Sequence, residues 1–343
     1  MIHVQEHFSL KKHNTFGVSA FAKAYIKTTS QQQLREAIAY CNSTDLFLLG
    51  GGSNMLIKND IQRTVIHVLL TGKEITDREG NKVFLKVMAG ENWHQTVLYC
   101  IENNLAGLEN LSLIPGNVGT APIQNIGAYG VELKDVFHSC EVINIETLKS
   151  STLSKTDCKF GYRDSIFKNE ALGKYVITSV TFELIDLNQN HDYNLKLGYG
   201  AIQEEMDRLE GDDSIAKVSQ AVINIRSSKL PDPVVLGNSG SFFKNPVIAK
   251  SFYEELKKSH EDFPCYKVDK SHVKIPAGWL IDKSGLKGKR FGDAGIHDKQ
   301  ALVLVNHGNA SGEEILNVAH TVQDTVKIKF GIDIEMEVNL IEN

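Results

Sequence analysis

The sequence is poor in cysteine and contains no long apolar run. Its five cysteines are scattered, odd in number and never spaced as Cys-x-x-Cys, which argues against a disulfide framework and against a structural zinc site. No stretch approaches the roughly 18 apolar residues of a membrane-spanning helix, and the N-terminus lacks the apolar core of a signal peptide. We therefore expect a cytoplasmic protein that works in a reducing compartment.

Blocks of basic charge are also absent. The chain has 343 residues and a formal net charge of -5, with no cluster of Lys and Arg, so we expect no nucleic-acid partner. Two histidines at positions 3 and 7 lack the H-E-x-x-H order of a metal-binding helix, and we assign no metal site. The length exceeds what one hydrophobic core usually supports, which predicts two or three domains.

Hydrophobic periodicity predicts a mixture of strands and helices. FAKAYIKT (21–28) alternates as a strand does, Ser30 and Gln33 form a capping box for a helix to about Tyr40, and DLFLLG (45–50) returns as a buried strand. Further strands are predicted at 64–70, 82–90, 136–146, 175–185, 301–306 and 333–341, and helices at 91–104, 214–229, about 247–258, 277–285 and after a cap formed by Ser311 and Glu314.

The first glycine-rich loop, LLGGGSNML at 48–56, follows a predicted buried strand. Consecutive glycines let backbone N–H groups surround a diphosphate, which side chains at those positions would obstruct. The loop has neither the G-x-G-x-x-G spacing of a Rossmann site nor the GK[ST] ending of a P-loop, so a plain tight turn stays an open alternative.

The second such loop, IPGNVGTAPIQNIGAYG at 114–130, combines four glycines with Thr120, Gln124 and Asn125. A loop of this kind offers backbone donors and side-chain amides to a flat heteroaromatic ligand. Long loops within compact domains are usually functional. Two glycine-rich loops in one chain therefore predict a dinucleotide cofactor.

Taken in order, the motifs resemble the longer type of UDP-N-acetylenolpyruvoylglucosamine reductase, a flavoenzyme family of peptidoglycan precursor synthesis. The resemblance rests on GGGSN, IPG-x-VG-x-AP-x-QNIGAYG, GYRDSIFK, KLPDP, GSFFKNP, AGWLID and KQALVLVN, which run from about residue 14 to residue 338. A Tyr-Gly segment around Tyr199 is what matches the longer type.

The resemblance implies an α/β fold, of mixed α+β character, with a two-lobed FAD-binding domain of the vanillyl-alcohol-oxidase type and a C-terminal α/β substrate domain. The implied domains are an FAD-binding subdomain at 1–70, a second at 71–213, and the substrate-binding domain at 214–343. The last strand is expected to pack back on the first subdomain.

The resemblance also implies FAD as cofactor and NADPH as hydride donor. The residues that match the flavin diphosphate loop are Gly50, Gly51, Gly52, Ser53 and Asn54. Those that match the second flavin loop are Pro115, Gly116, Gly119, Thr120, Gln124, Asn125 and Gly127.

The family reaction adds a hydride to C3 of an enolpyruvyl ether and a proton to C2. Since an enol ether accepts hydride poorly, fixed donors have to stabilise the negative charge that develops on the attached carboxylate. By resemblance, Arg163 holds this carboxylate, Glu337 donates to the enolate oxygen, and Ser241 gives the proton to C2. From the residues alone, a surface ion pair with Asp164 is the favoured interpretation of Arg163, and a turn hydroxyl is the favoured interpretation of Ser241.

The sequence does not choose between Glu335 and Glu337 by spacing. In DIEMEVNLI the apolar residues alternate toward one face and both glutamates toward the other, so two solvated carboxylates are the plainer interpretation. The family motif matches Glu337. One departure is Asn339, which stands where family members often carry a basic residue.

Further residues match the family's substrate contacts, including cations and donors for the substrate diphosphate. They are Tyr199 as a lid residue, Arg226, Lys229, Asn245, Tyr266, Lys287 and Gln300.

Two other functions fit the same sequence. One is a different FAD oxidoreductase of the same cofactor fold, such as a sugar oxidase. The other is a UDP-sugar-binding protein that has lost its flavin. The expected partner is a small molecule, the UDP-sugar enolpyruvyl ether, with no nucleic acid and no membrane, and the family norm is a monomer.

Overall fold

The computed structural model describes residues 1–41, 45–190, 192–199 and 201–342, and within them the chain forms two compact units. The first unit comprises Met1–Phe8, Ala22–Gly51 and Gln62–Ser228, and the second comprises Ser9–Phe21, Gly52–Ile61 and Lys229–Asn343. The second unit thus includes two segments from the predicted first subdomain, 1–70. The division into three domains stays a prediction.

Seven α-helices lie in the described part of the chain. They are α1 Gln31–Tyr40, α2 Trp93–Glu102, α3 Ile202–Arg208, α4 Ile215–Lys229, α5 Lys250–Lys257, α6 Ala277–Lys283 and α7 Gly312–Phe330. None of these helices is both long and apolar enough to cross a membrane.

Two sheets and a short hairpin organise the first unit. Four strands pair in the order β1-β2-β5-β3, with β1 Val4–Ser9, β2 Phe21–Thr28, β3 Leu46–Leu49 and β5 Ile61–Val68. A larger sheet runs β12-β11-β13-β7-β6, with β8 also paired to β13, and β9 pairs with β10. Their bounds are β6 Lys73–Glu79, β7 Lys82–Met88, β8 Leu105–Ala106, β9 Gly127–Ala128, β10 Val131–Glu132, β11 Phe137–Asn144, β12 Ser150–Ser154 and β13 Tyr175–Asp186.

The second unit contains two antiparallel sheets and a parallel pair. The sheets run β14-β20-β19-β18 and β15-β17-β16, and β21 pairs with β4. The bounds are β4 Met55–Ile57, β14 Gly237–Ser241, β15 Val247–Ala249, β16 Tyr266–Lys267, β17 His272–Lys274, β18 Arg290–Phe291, β19 Ala294–Ile296, β20 Val303–Asn306 and β21 Asn339–Ile341. The final strand therefore pairs with residues that lie inside the predicted 1–70 segment.

Each unit has its own core. In the first, α2 packs against the large sheet through Trp93, whose ring meets Phe182 edge to face at 5.9 Å. In the second, Phe242 and Phe243 are both 1% exposed and pack with residues of α6 and α7. Burial of these two consecutive aromatic side chains fixes the backbone directly after Ser241.

Three local predictions need correction. The segment predicted as a helix from 247 begins instead as strand β15, because Val247 and Ile248 are β-branched and pair with β17, and α5 starts only at Lys250. The final strand is limited to β21. At α1, Ser30 accepts from Gln33 N as expected, but the Gln33 side chain accepts from Thr29 N, one residue too early for a capping box. The box predicted for Ser311 and Glu314 is present.

Candidate active site

The two glycine-rich loops touch each other within the first unit. A Cβ atom built at Gly51 would lie 2.8 Å from Gly116 Cα, and one built at Gly50 would lie 2.5 Å from Thr120 Cγ2. Gly119 is equally confined, since its Cβ would lie 2.5 Å from Ala89 Cβ. Side chains at these positions would push the loops apart, so their approach requires glycine. Gly52 belongs to the second unit, has a φ of +62° and packs on His13 O.

Asn125 braces the second loop from inside. Its side-chain amide donates to Gly161 O at 2.8 Å and to Glu132 at 3.1 Å, and its Oδ1 accepts from Lys134 N at 3.0 Å. Its backbone is left-handed, with a φ of 43°. This amide ties the loop to the turn that begins at Gly161. The cofactor contacts expected for Asn125 and the half-buried Gln124 stay predictions.

Arg163 lies in that turn, in a left-handed conformation with a φ of +54°. Gly161 and Asp164 exchange backbone hydrogen bonds of 3.0 and 3.4 Å around it. The guanidinium donates from Nη2 to Gly127 O at 2.7 Å. The second loop therefore fixes both the turn and the side chain of Arg163.

A second arginine of this unit lies close to the first. Burial is the main cause of a lowered pKa at Arg226, with Tyr129 raising that pKa and Arg163 lowering it further. Its buried Nε has no hydrogen-bond partner among the described residues. Because the positive charge of Arg163 acts on Arg226, the two guanidinium groups repel each other, and the arrangement suits a carboxylate or phosphate ligand.

Two tyrosines lie beside Arg163 and Arg226, and these four residues are called the first-unit cluster below. The rings of Tyr129 and Tyr199 meet edge to face with centroids 6.0 Å apart, and burial raises the pKa of Tyr129. A Cβ on Gly130 would lie 3.4 Å from Tyr199 Cβ, so the lid tyrosine rests on the end of the second loop. Arg163, Arg226 and Tyr199 were predicted site residues, and the fold brings all three together in one unit.

The segment that carries Tyr199 is held by a buried carboxylate. Tyr193 donates to Glu109 Oε1 at 2.6 Å, and Glu109 is only 1% exposed. Asn110 Nδ2 donates to Lys196 O at 2.8 Å and to Tyr129 O at 3.2 Å. The segment is thus anchored at two points before it reaches Tyr199.

We predict that Tyr193→Phe loosens this segment. Removing the hydroxyl leaves buried Glu109 with one donor fewer, which typically costs about 1–3 kcal/mol. The expected results are a lower denaturation midpoint in urea and faster tryptic cleavage after Lys196. The control is Tyr40→Phe, at a tyrosine that is 60% exposed. Equal cleavage rates in the two variants would show that the Glu109 contact does not anchor the segment.

In the second unit, Ser241 ends strand β14 and is solvent-exposed. It pairs with Val303 of β20 after a register shift that begins at Asn238. Gly240, with a φ of +69°, supplies the irregular backbone at this shift. The neighbouring Ser239 is buried and bonded to Thr15 Oγ1 at 3.1 Å and to Met55 O at 3.3 Å. Of these two serines, only Ser241 presents its side chain to solvent.

The structure separates the two glutamates that the sequence left equivalent. Glu335 forms an ion pair with Lys244 at 3.0 Å, and its side chain is 75% exposed. Glu337 is half-buried, and its backbone N donates to Phe242 O at 2.8 Å, one residue beyond Ser241. This backbone pairing brings Glu337 next to the Ser241 strand end, which favours it over Glu335.

Asn54 supports the same backbone. Its side chain donates to Glu337 O at 3.3 Å, while its own carbonyl accepts from Asn339 N at 3.2 Å and from Asn339 Nδ2 at 2.8 Å. Asn339, which stands where family members often carry a basic residue, therefore hydrogen-bonds to the first glycine loop through Asn54. Ser53 lies between Gly52 and Asn54 in this unit.

The remaining predicted substrate residues of the second unit differ in how they are held. Asn245 Oδ1 accepts from Ala277 N at 2.9 Å, and Gln300 Oε1 lies 3.2 Å from a Cβ built at Gly278. Each of these two side chains therefore contacts the first turn of α6. Lys287 pairs with Asp282 at 3.3 Å, and Lys229 and Tyr266 are exposed.

Sequence reasoning missed Tyr129, a member of the first-unit cluster, and His94. Tyr129 stands in the quoted GAYG motif, but the motif was interpreted through its glycines alone. His94 lies on α2, where Nδ1 accepts from Leu113 N at 3.0 Å. Burial and then Arg226 lower the pKa of His94. In the sequence, His94 is an ordinary position of a helical pattern, and nothing there indicates that its side chain contacts the residue just before the second glycine loop.

Residues 22–147 match the family described as "FAD binding domain", and residues 232–341 match "UDP-N-acetylenolpyruvoylglucosamine reductase, C-terminal domain". A protein of Flavobacterium johnsoniae named UDP-N-acetylenolpyruvoylglucosamine reductase is 53% identical over 98% of this chain and 99% of its own. The chain belongs to this family. Relatives with the same name from Pseudomonas syringae pv. tomato and Bacteroides fragilis are 46% and 42% identical, over 99% and 98% of this chain and 99% and 100% of their own.

A solved structure has the same fold. The crystal structure of UDP-N-acetylenolpyruvylglucosamine reductase from Thermus caldophilus covers 100% of both chains at 23% identity, with a TM-score of 0.69. The predicted family, mixed α/β fold class and FAD cofactor are therefore confirmed, as is the assignment to the FAD-dependent oxidoreductases.

Proposed function

We propose that the protein reduces UDP-N-acetylenolpyruvoylglucosamine to UDP-N-acetylmuramate with NADPH through FAD, in peptidoglycan precursor synthesis. Membership of the reductase family supports the reaction. The observation that carries the proposal for this chain is the pair of half-buried guanidinium groups, Arg163 and Arg226, beside the second glycine loop. This pair would provide the fixed positive charge that the reaction needs to stabilise an anion.

The glycine cradle of the first unit fits FAD. Gly50 and Gly51 leave no room for side chains against the second loop, and Gly119 leaves none against Ala89, so backbone groups line the surface that a diphosphate would contact. Pro115, Gly116, Thr120 and Gly127 would complete the flavin contacts of this unit. Gly52, Ser53 and Asn54 stay flavin candidates because they match the family's diphosphate loop. When bound, FAD supplies the hydride that adds to C3 of the enolpyruvyl group.

Arg163 would hold the enolpyruvyl carboxylate. Its hydrogen bond to Gly127 O fixes the orientation of the planar guanidinium group. The group could then form charge-assisted hydrogen bonds to the carboxylate without reorganising during the reaction. Arg226 adds a second positive charge in a half-buried setting, where electrostatic interactions are stronger than in water. Together they would stabilise the charge that develops as hydride arrives at C3.

Ser241 and Glu337 would supply the proton and the hydrogen bond that the enolate needs. The exposed Ser241 hydroxyl would donate its proton to C2, a step that a weak acid performs only because the enolate is strongly basic. Half-buried Glu337, fixed through Phe242, would donate a hydrogen bond to the enolate oxygen in its protonated form.

The UDP portion would be bound by the remaining candidate residues of the second unit, and Tyr199 of the first unit stays the candidate lid residue. The second-unit residues are Lys229, Asn245, Tyr266, Lys287 and Gln300. We further propose that the enzyme acts as a monomer in the cytoplasm, with neither nucleic acid nor membrane as a partner.

Arg163→Ala is expected to slow reoxidation of the reduced enzyme by substrate about 100-fold or more, because a fixed donor to developing charge is lost. Reduction of the flavin by NADPH should be unchanged. Arg163→Lys should recover only part of the rate, since a lysine lacks the planar fork. Stopped-flow absorbance measures both half-reactions. The control is Arg208→Ala, on the exposed face of α3. A loss confined to NADPH oxidation would rule out the carboxylate role.

The function itself is tested by product analysis. Purified protein would be incubated with NADPH and UDP-N-acetylenolpyruvoylglucosamine, and the nucleotide sugar examined by mass spectrometry. The expected product is heavier by two hydrogens and forms only when both reactants are present. Consumption of NADPH without change in the sugar would contradict the proposed reaction.

A further inference from the structure

Hydrogen bonds from the backbone and side chains at the start of α2 hold the second glycine loop and the residues just before it. Trp93 N donates to Gly116 O at 3.0 Å, Val118 N donates to Glu91 O at 2.9 Å, and Trp93 Nε1 donates to Leu111 O at 2.9 Å. The loop therefore takes its shape from residues 91–94 as well as from its own glycines.

His94 adds a fourth contact to the three just described. In this contact the hydrogen-bond acceptor is a titratable side chain, whereas in the other three it is a backbone carbonyl. Leu113 N donates to His94 Nδ1 at 3.0 Å, so the ring is neutral and carries its proton on Nε2. A protonated imidazole has no lone pair left to accept this bond. The contact depends on the charge state of one side chain.

The residue that His94 holds is under strain. Leu113 has a φ of +59°, a left-handed conformation that costs an L-amino acid with a Cβ atom roughly 1–2 kcal/mol. It lies three residues before Gly116, whose Cα would be 2.8 Å from a Cβ at Gly51. Relaxation of Leu113 would therefore displace the stretch that meets the first glycine loop.

We propose that neutral His94 is a positioning residue for the cofactor site, holding Leu113 in its left-handed conformation so that the loop at Pro115 and Gly116 lies against Gly51. The inference rests on the proposed function, because it takes these two loops as the FAD site. His94 itself is given no contact with the cofactor or the substrate.

The charge environment favours the required state. Burial lowers the pKa of His94, and Arg226 of α4 lowers it further, so the ring stays neutral at neutral pH. FAD affinity should be constant above the ordinary histidine pKa of about 6.5 and should weaken as the pH falls through the lowered value. The effect has this sign because only the neutral form accepts from Leu113 N.

The test is FAD affinity of the apoprotein, measured by quenching of flavin fluorescence at pH 8 and at steps below pH 6.5. His94→Ala is expected to weaken binding about tenfold at pH 8. His94→Asn, whose Oδ1 lies near the position of Nδ1 and does not titrate, should bind within about twofold of the parent and lose the pH dependence. Gln95→Ala on the exposed face of α2 and His320→Asn on α7 are the controls, and both should match the parent.

Equal affinity of the parent and His94→Ala, or an equal pH dependence of the parent and His94→Asn, would overturn the inference and leave the proposed function intact. Because the asparagine variant keeps the acceptor, this comparison holds even where the alanine variant folds poorly. A parent apoprotein that binds no FAD at any pH would overturn the proposed function together with the inference.

Discussion

Ser241→Ala is expected to leave reduction of the flavin by NADPH unchanged and to slow its reoxidation by UDP-N-acetylenolpyruvoylglucosamine by about 10²–10⁴-fold. The hydroxyl is the group assigned to protonate C2, and the backbone around it is fixed by Phe242 and by pairing with Val303. Removing one exposed oxygen should therefore change the chemistry and leave the fold unchanged. Rapid mixing of reduced enzyme with substrate measures the step directly.

Ser239→Ala is the matched control for this experiment. Ser239 lies on the same strand, but its hydroxyl is buried and bonded to Thr15 and Met55. We expect this variant to lose about 1 kcal/mol of stability and to keep both half-reactions. If Ser241→Ala reoxidises as fast as the parent, or if Ser239→Ala is equally slow, Ser241 is not the proton donor.

Glu337→Gln is expected to impair the same half-reaction by about 10²–10³-fold, because a glutamine is far too weak an acid to replace a protonated carboxyl at the enolate oxygen. The substitution conserves size and leaves the backbone bond from Glu337 N to Phe242 O in place. Flavin reduction by NADPH should be unaffected.

The chain provides a matched control two residues away. Glu335→Gln changes the same chemical group, but that carboxylate is 75% exposed and paired with Lys244. A surface ion pair of this kind contributes little, so activity should stay close to that of the parent. A larger effect at Glu335 than at Glu337 would reverse the assignment that the structure favours.

Much of the fold followed from periodicity. Strand β2 was predicted with its observed bounds, and α4 was predicted to within one residue, because each has a strong pattern between clear breaks. The strand at β15 was missed because the residues that pair with it, at β17, lie more than twenty positions away. Alternation predicted a strand from 333, yet a ladder forms only at β21, where β4 supplies a partner.

The candidate site was predicted unevenly. The glycines of the two loops were identifiable from sequence, because only glycine permits such close backbone approach. The resemblance named Arg226, but neither Tyr129 nor His94. The interactions among these three residues had no sequence signal, since they come from separate elements that only the tertiary fold brings together. Alternation alone did not choose between Glu335 and Glu337, because it places both on one face. The family motif matched Glu337, and the ion pair of Glu335 with Lys244 now distinguishes the two by geometry.

The central claim is that one protein accepts hydride from NADPH on FAD and passes it to the enolpyruvyl ether. The most direct measurement is the visible spectrum of the purified protein under anaerobic conditions, first with one equivalent of NADPH and then with UDP-N-acetylenolpyruvoylglucosamine. We predict yellow flavin bands that bleach with NADPH and return when the substrate is added. Bleached bands that do not return with the substrate, or a protein that stays colourless after FAD is supplied, would contradict the account.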